Sequence, residues 1–431
     1  MPVSVSALSL SDPLTLRCGL TLPNRIVKAA MTEALADADN NATPRLDRLY
    51  ASFAAGGPGM LLTGNIMVDR RHLERARNVV ADEATDRAAL RRYAASCADV
   101  PTVVQLSHPG RQTNRMVQTR PVAPSRGPAV GMAGMFARPR ALTITEIADL
   151  RRRFVRAAEM VVDAGFSGVQ VHAAHGYLLS SFLSPEHNQR HDDYGVDRFG
   201  RARLLLEIVS DLRDALPAHA AVGVKLNSRD GYETNQEAVD ALVDIAGWLD
   251  TAGADFLEVS GGSYESPALL GLDRPADGNG PETGEAYFAD AAAAVARSAE
   301  LPVLLTGGFR TRAAMEGTLR SGTAAMIGIG RPLAVDPSLA RRLLAGEVDE
   351  LPRPAPLIGG PRQLKKLLGG AANSGWHRFQ LERHGAGRAP LAQLPAALAV
   401  ADYVIRDGAQ ALLARRRRFA TADWVDGDGR G

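Results

Sequence analysis

Eight short apolar runs alternate with longer amphipathic stretches, glycines cluster after the seventh and eighth runs, and the pattern changes near Pro352. Together these predict an α/β protein, a (β/α)8 TIM barrel with a long loop after strand 3 and a C-terminal helical extension. Residues 1–350 are read as the barrel and 351–431 as the extension. A barrel with insertions can occupy most of a 431-residue chain as one unit.

The strands are expected at Ile26 to Ala30, Gly59 to Thr63, Thr102 to Leu106, Gly168 to His172, Ala221 to Leu226, Phe256 to Ser260, Val303 to Thr306 and Ala324 to Ile327. Between them, Thr145 to Gly165 carries apolar residues at helical spacing, opened by a threonine cap and closed by glycine. Glu237 to Ala252, ending at Gly253, repeats that design. From His108 to about Leu142 the connection is unusually long, with Pro121, Pro124, Pro128 and Pro139, and reads as a lid or binding excursion. Beyond Pro352 two helical stretches are expected, Pro361 to His384 and Leu391 to Arg416, packing on the barrel or on a second subunit as a homo-oligomer.

A net charge of +2 demands neither nucleic acid nor an anionic membrane as partner. The Arg415 to Arg418 run fits a solvated helix end, where cations complement the helix dipole. Cys18 and Cys97 are too few for a disulfide scaffold or a four-thiolate iron–sulfur cluster. With no secretory signal pattern and no run of about 20 apolar residues, a cytoplasmic protein is expected.

The chemistry concentrates at strand ends. Val169 to Leu179 closes a strand with His172, His175 and Tyr177, spaced so that two imidazoles and a phenol can share one pocket. Such a group can polarise a carbonyl and deliver a proton. The same residues fit a buried or surface histidine pair, or a zinc site lacking its third ligand, since neither cysteine lies nearby. Gly307 and Gly308, with Gly330 and Arg331, close the last two strands, where barrel proteins often hold a phosphate; simple tight turns fit them too. Ala30, Met31, Thr32, Asn65, Gln105, His108, Arg111, Lys225 and Asn227 end other strands and describe a large ligand with one phosphate and many polar ring atoms.

Three motifs carry a resemblance: Leu22-Pro-Asn24-Arg25 through Met31-Thr32, Val104-Gln105-Leu-Ser-His108-Pro-Gly110-Arg111, and His172-Ala-Ala-His175-Gly-Tyr177 through Ser184-Pro. Asn188 to Arg190, Asp193-Tyr194-Gly195 and Gly330-Arg331 add to them. From about Leu14 to Leu344 the chain resembles the old yellow enzyme family of flavin-dependent oxidoreductases. The resemblance implies FMN at the barrel mouth, lined by Ala30, Met31 and Thr32, with Thr32 near the flavin C4 carbonyl. Asn65 and Gln105 would meet the pyrimidine edge, Lys225 the N1 region, and Gly307, Gly308, Gly330 and Arg331 the phosphate.

By the same resemblance, NADH or NADPH reduces FMN and leaves, and the reduced ring gives hydride to an activated alkene such as an α,β-unsaturated carbonyl. His172 and His175 would hold the substrate carbonyl and Tyr177 would donate the proton. Ala30 stands where many relatives have proline, Lys225 where many have arginine, and Ala34 where some place a substrate-contacting tyrosine. Two other readings stay open at this point: a flavin-binding sensor without turnover, and a metal-dependent barrel hydrolase using His172 and His175.

Overall fold

The computed structural model describes residues 8–131, 134–229, 231–261, 285–352 and 375–391, then 393–395, 397–399, 401, 405 and 408–410. Eight parallel strands close on themselves: β1 (Ile26–Lys28), β2 (Met60–Leu62), β3 (Thr102–Ser107), β4 (Gly168–Ala173), β5 (Ala221–Asn227), β6 (Phe256–Ser260), β7 (Val303–Thr306) and β8 (Met326–Ile329). Each expected strand is present, and β3 pairs with both β2 and β4 while β8 pairs with β1, Ile327 opposite Ile26. β1 ends two residues earlier than expected, so Ala30, Met31 and Thr32 leave the ladder and turn over the barrel mouth. β8 begins and ends two residues later.

The helices fall between strands, or after the last one: α1 (Pro44–Ala55), α2 (Arg87–Ala95), α3 (Ile144–Asp163), α4 (Leu178–Leu183), α5 (Arg198–Ala215), α6 (Asn235–Thr251), α7 (Ala289–Ser298), α8 (Arg312–Arg320) and, beyond β8, α9 (Leu339–Leu344). α3 starts ahead of the expected Thr145 because Thr143 and Glu146 form a reciprocal capping box. Thr234 and Glu237 do the same for α6. Both caps satisfy amide groups that the first helical turn leaves without partners.

Inside the barrel the strands' N-terminal end is apolar. Val27, Met60, Leu62, Val103, Phe256, Leu304 and Met326 form one buried cluster with Leu16 and Leu22, which come from a hairpin pairing Leu14–Thr15 with Thr21–Leu22. Phe256 is large for this layer and fits because Gly223 faces it: a Cβ at Gly223 would stand 2.2 Å from the ring. The floor of the barrel is therefore apolar.

The long connection after β3 is a folded excursion. Val122–Ala123 pairs in parallel with Arg140–Ala141, and Arg190 donates to the carbonyls of Pro124 and Leu142 at 2.9 and 2.7 Å. Asn188 ties the carbonyls of Phe182 and Tyr194 together at 2.8 and 2.7 Å, so two of the recognised motifs act as a buttress behind β4. Residues 375–385 are helical, overlapping the expected Pro361 to His384 stretch and running one residue past its end. Residues 353–374, Arg416 and the Arg415 to Arg418 run lie outside the described residues. No helix among the described residues is long and apolar enough to cross a membrane.

Candidate active site

At the C-terminal ends of the strands the fold brings His172, His175 and Tyr177 together. The His172 ring lies 5.0 Å from His175 and 4.8 Å from Tyr177, both edge to face. His172 is the last residue but one of β4, whereas His175 adopts a left-handed conformation (φ 63°) that only a minority of non-glycine residues accept. That turn is held from two sides: Asn227 Oδ1 accepts the His175 amide at 3.1 Å, and Gln112 donates to the His175 carbonyl at 3.0 Å. A strained residue fixed this firmly aims its side chain.

Protonation follows from the contacts. The Ala174 amide donates to His172 Nδ1 at 3.2 Å, which puts the ring proton of a neutral His172 on Nε2. His175 Nε2 meets Ser260 Oγ at 3.1 Å. Burial, then His175, then Lys225 hold His172 well below the ordinary imidazole value, and burial followed by Lys225 does the same to His175. Both rings are neutral near neutral pH, and each can donate one N–H.

Beneath this cluster runs a buried polar chain. Gln105 donates to Gln170 at 2.7 Å, Gln170 donates to Glu258 at 2.8 Å, and Glu258 pairs with Lys225 at 2.9 Å. Strand register makes the chain possible, because Gln105 faces Gln170, and Lys225 lies between His172 on β4 and Glu258 on β6. Lys225, expected to meet the flavin N1 region, comes with a counter-ion. Gln170 and Glu258 were missed in the sequence, although Gln170 shares a strand face with His172 by the two-residue alternation.

A second polar group forms at the ends of β1 and β2. Thr32 Oγ1 donates to Glu74 at 3.1 Å and the Asn65 amide donates to the same carboxylate oxygen at 2.9 Å. The Thr32 proton therefore points to Glu74, and no sequence signal marked Glu74. Gly330 sits against Met31, while Gly307 (φ 137°) and Gly308 (φ 83°) adopt backbone angles that side chains disfavour and pack on the rings of Phe288 and Tyr287. Arg331 lies beside Arg310, and burial followed by that like charge lowers its guanidinium from the ordinary value.

Among the described residues, the side chains gathered like metal ligands are Asp69, His72 and His108, and this group excludes His172 and His175. Arg71 holds both oxygens of Asp69 at 2.6 to 3.0 Å, so the carboxylate is engaged in an ion pair. The hydrolase reading based on His172 and His175 has no third ligand gathered beside them there.

Residues 9–350 match the model of the NADH:flavin oxidoreductase / NADH oxidase family. The chain belongs to this family. The NADH-dependent flavin oxidoreductase iliE of Hypocrea jecorina is 39% identical over 365 residues, 79% of this chain and 90% of the relative. The NADH oxidase of Thermoanaerobacter brockii is 31% identical over 344 residues, 77% of this chain and 50% of that one. Morphinone reductase in complex with tetrahydroNAD has a TM-score of 0.68 at 24% identity, covering 83% of this chain and 96% of that one, a likeness of fold. The old yellow enzyme homologue from Zymomonas mobilis gives 0.67 at 24% identity over 81% and 95% of the two chains. This NADH:flavin oxidoreductase is thus an FMN-dependent oxidoreductase of the old yellow enzyme type, using NADH.

Proposed function

We propose that the protein reduces the activated C=C bond of α,β-unsaturated carbonyl or related compounds, in two half-reactions of ping-pong order. The observation that carries this reading is the convergence of neutral His172 and His175 with Tyr177 in one buried cluster. Bound FMN would supply the hydride chemistry, accepting reducing equivalents from the nicotinamide and passing them to the alkene.

The residues present fit that cofactor. Asn65 Oδ1 is buried without a partner among the described residues and suits a ring N–H, and Gln105 lies on the neighbouring strand. Lys225 would stand near the pole of the ring that becomes negative on reduction, Ala30, Met31 and Thr32 would line one side, and Gly307, Gly308, Gly330 and Arg331 would take the phosphate. Toward the substrate, the His172 Nε2–H and an N–H of His175 would donate to the carbonyl oxygen, drawing electron density from the β-carbon. Tyr177, 4% exposed, would protonate the α-carbon from a site sheltered from water. Residues 1–350 would form the FMN-binding unit and 351–431 an appended segment, a division supported by the end of the family match at residue 350.

Stopped-flow measurement on Tyr177→Phe tests the assignment. Flavin bleaching by NADH should persist, while reoxidation by a cyclohexenone-like acceptor should slow by about a hundredfold or more, the ordinary size of a general-acid contribution. Unchanged reoxidation removes Tyr177 as donor. A wild-type protein that is bleached by NADH yet reoxidised by no enone, maleimide or nitroalkene points instead to a flavin-binding sensor.

A further inference from the structure

We propose that Glu74 is a positioning residue that sets the hydrogen-bonding polarity of the flavin site, turning Asn65 into an acceptor-only contact that selects a ring N–H. The inference rests on the FMN reading above and adds a residue that none of the recognised motifs contains.

Glu74 is 6% exposed, and one of its oxygens receives both the Thr32 hydroxyl at 3.1 Å and the Asn65 carboxamide N–H at 2.9 Å. A hydroxyl has one proton, so Thr32 has none left to give elsewhere. The Asn65 nitrogen has two, one on Glu74 and one toward Thr32 Oγ1 at 3.5 Å. An asparagine can be turned about its last bond to exchange oxygen and nitrogen, but turning this one would set its oxygen against a carboxylate oxygen. Glu74 therefore fixes the orientation, and what remains is Asn65 Oδ1, buried and without a partner among the described residues.

A buried acceptor without a donor is unfavourable until a ligand supplies one. The isoalloxazine ring carries an imide N–H at N3, between two carbonyls, and a flavin methylated there has none.

The test is fluorescence titration of the full-length apoprotein with FMN and with N3-methyl-FMN. Wild type should prefer FMN by about tenfold or more, the worth of a hydrogen bond to a buried acceptor. In Glu74→Leu, which removes the oxygen that holds the Asn65 amide, and in Asn65→Ala, the ratio should fall to about twofold or less. Thr32→Val, which leaves Glu74 on Asn65, should keep the wild-type ratio. A wild-type ratio within about twofold, or a wild-type ratio retained by Glu74→Leu, overturns the proposal. Where circular dichroism shows Glu74→Leu unfolded, Glu74→Ala gives the same test, because it too leaves the Asn65 amide without its acceptor. A wild-type apoprotein that takes up neither flavin refutes the cofactor reading itself, and the inference falls with it. That outcome is distinct from a protein that binds both flavins alike.

Discussion

Glu258→Gln should destabilise the protein by about 3 kcal/mol or more. The Glu258 carboxylate is fully buried, with one oxygen 2.9 Å from Lys225 Nζ and the other accepting from Gln170 at 2.8 Å. Two unit charges at that separation attract by about 6 kcal/mol at an effective dielectric of about 20. Part of this is offset by the cost of taking both ions out of water, so removing one partner of a buried pair costs about 3 to 5 kcal/mol. The amide also brings one oxygen to two donors, so either Lys225 or Gln170 loses an acceptor, at about 1 to 3 kcal/mol.

Urea unfolding of the apoprotein, followed by circular dichroism, measures the loss. Glu258→Gln combined with Lys225→Met should recover at least half of it, because the uncompensated charge leaves together with its partner. A loss below about 1 kcal/mol, or a double variant as unstable as the sum of the two single ones, would refute the claim that this pair is electrostatically coupled. The double variant should also raise the proton affinity of His175, since Lys225 is the second cause, after burial, of its low value.

Acid should weaken the fold through its buried imidazoles. His108, His172 and His175 are all held well below the ordinary imidazole value of 6.5, first by burial. A base whose folded value is depressed is protonated first in the unfolded chain, so stability is full above 6.5 and falls as pH drops below it. Three such groups lower stability by about 4 kcal/mol between about pH 7.5 and about pH 5.5; urea midpoints that do not move across that interval would contradict it. Gly223→Ala should cost about 1 to 3 kcal/mol or more by overpacking, because its methyl would stand 2.2 Å from the Phe256 ring, and Phe256→Leu should rescue much of the loss. A thermal melt of the single and double variants decides it, and a Gly223→Ala protein as stable as wild type would show that the floor of the barrel yields.

The sequence alone determined the eight strands, because a parallel barrel strand is buried on both faces and must be written as a short apolar run. It also determined the reactive cluster, since His172, His175 and Tyr177 are close in sequence and one turn suffices to bring them together. Helix starts were legible where a capping box is local, as at Thr143 and Glu146, although the first threonine was passed over. Only the tertiary structure decided the partners. Glu258 reaches Lys225 and Gln170 from another strand through the barrel's register, and Glu74 meets Thr32 and Asn65 across two loops. Charge compensation and hydrogen-bond polarity depend on distances of a few ångströms between residues 9 to 88 positions apart, and no periodicity in the chain encodes them.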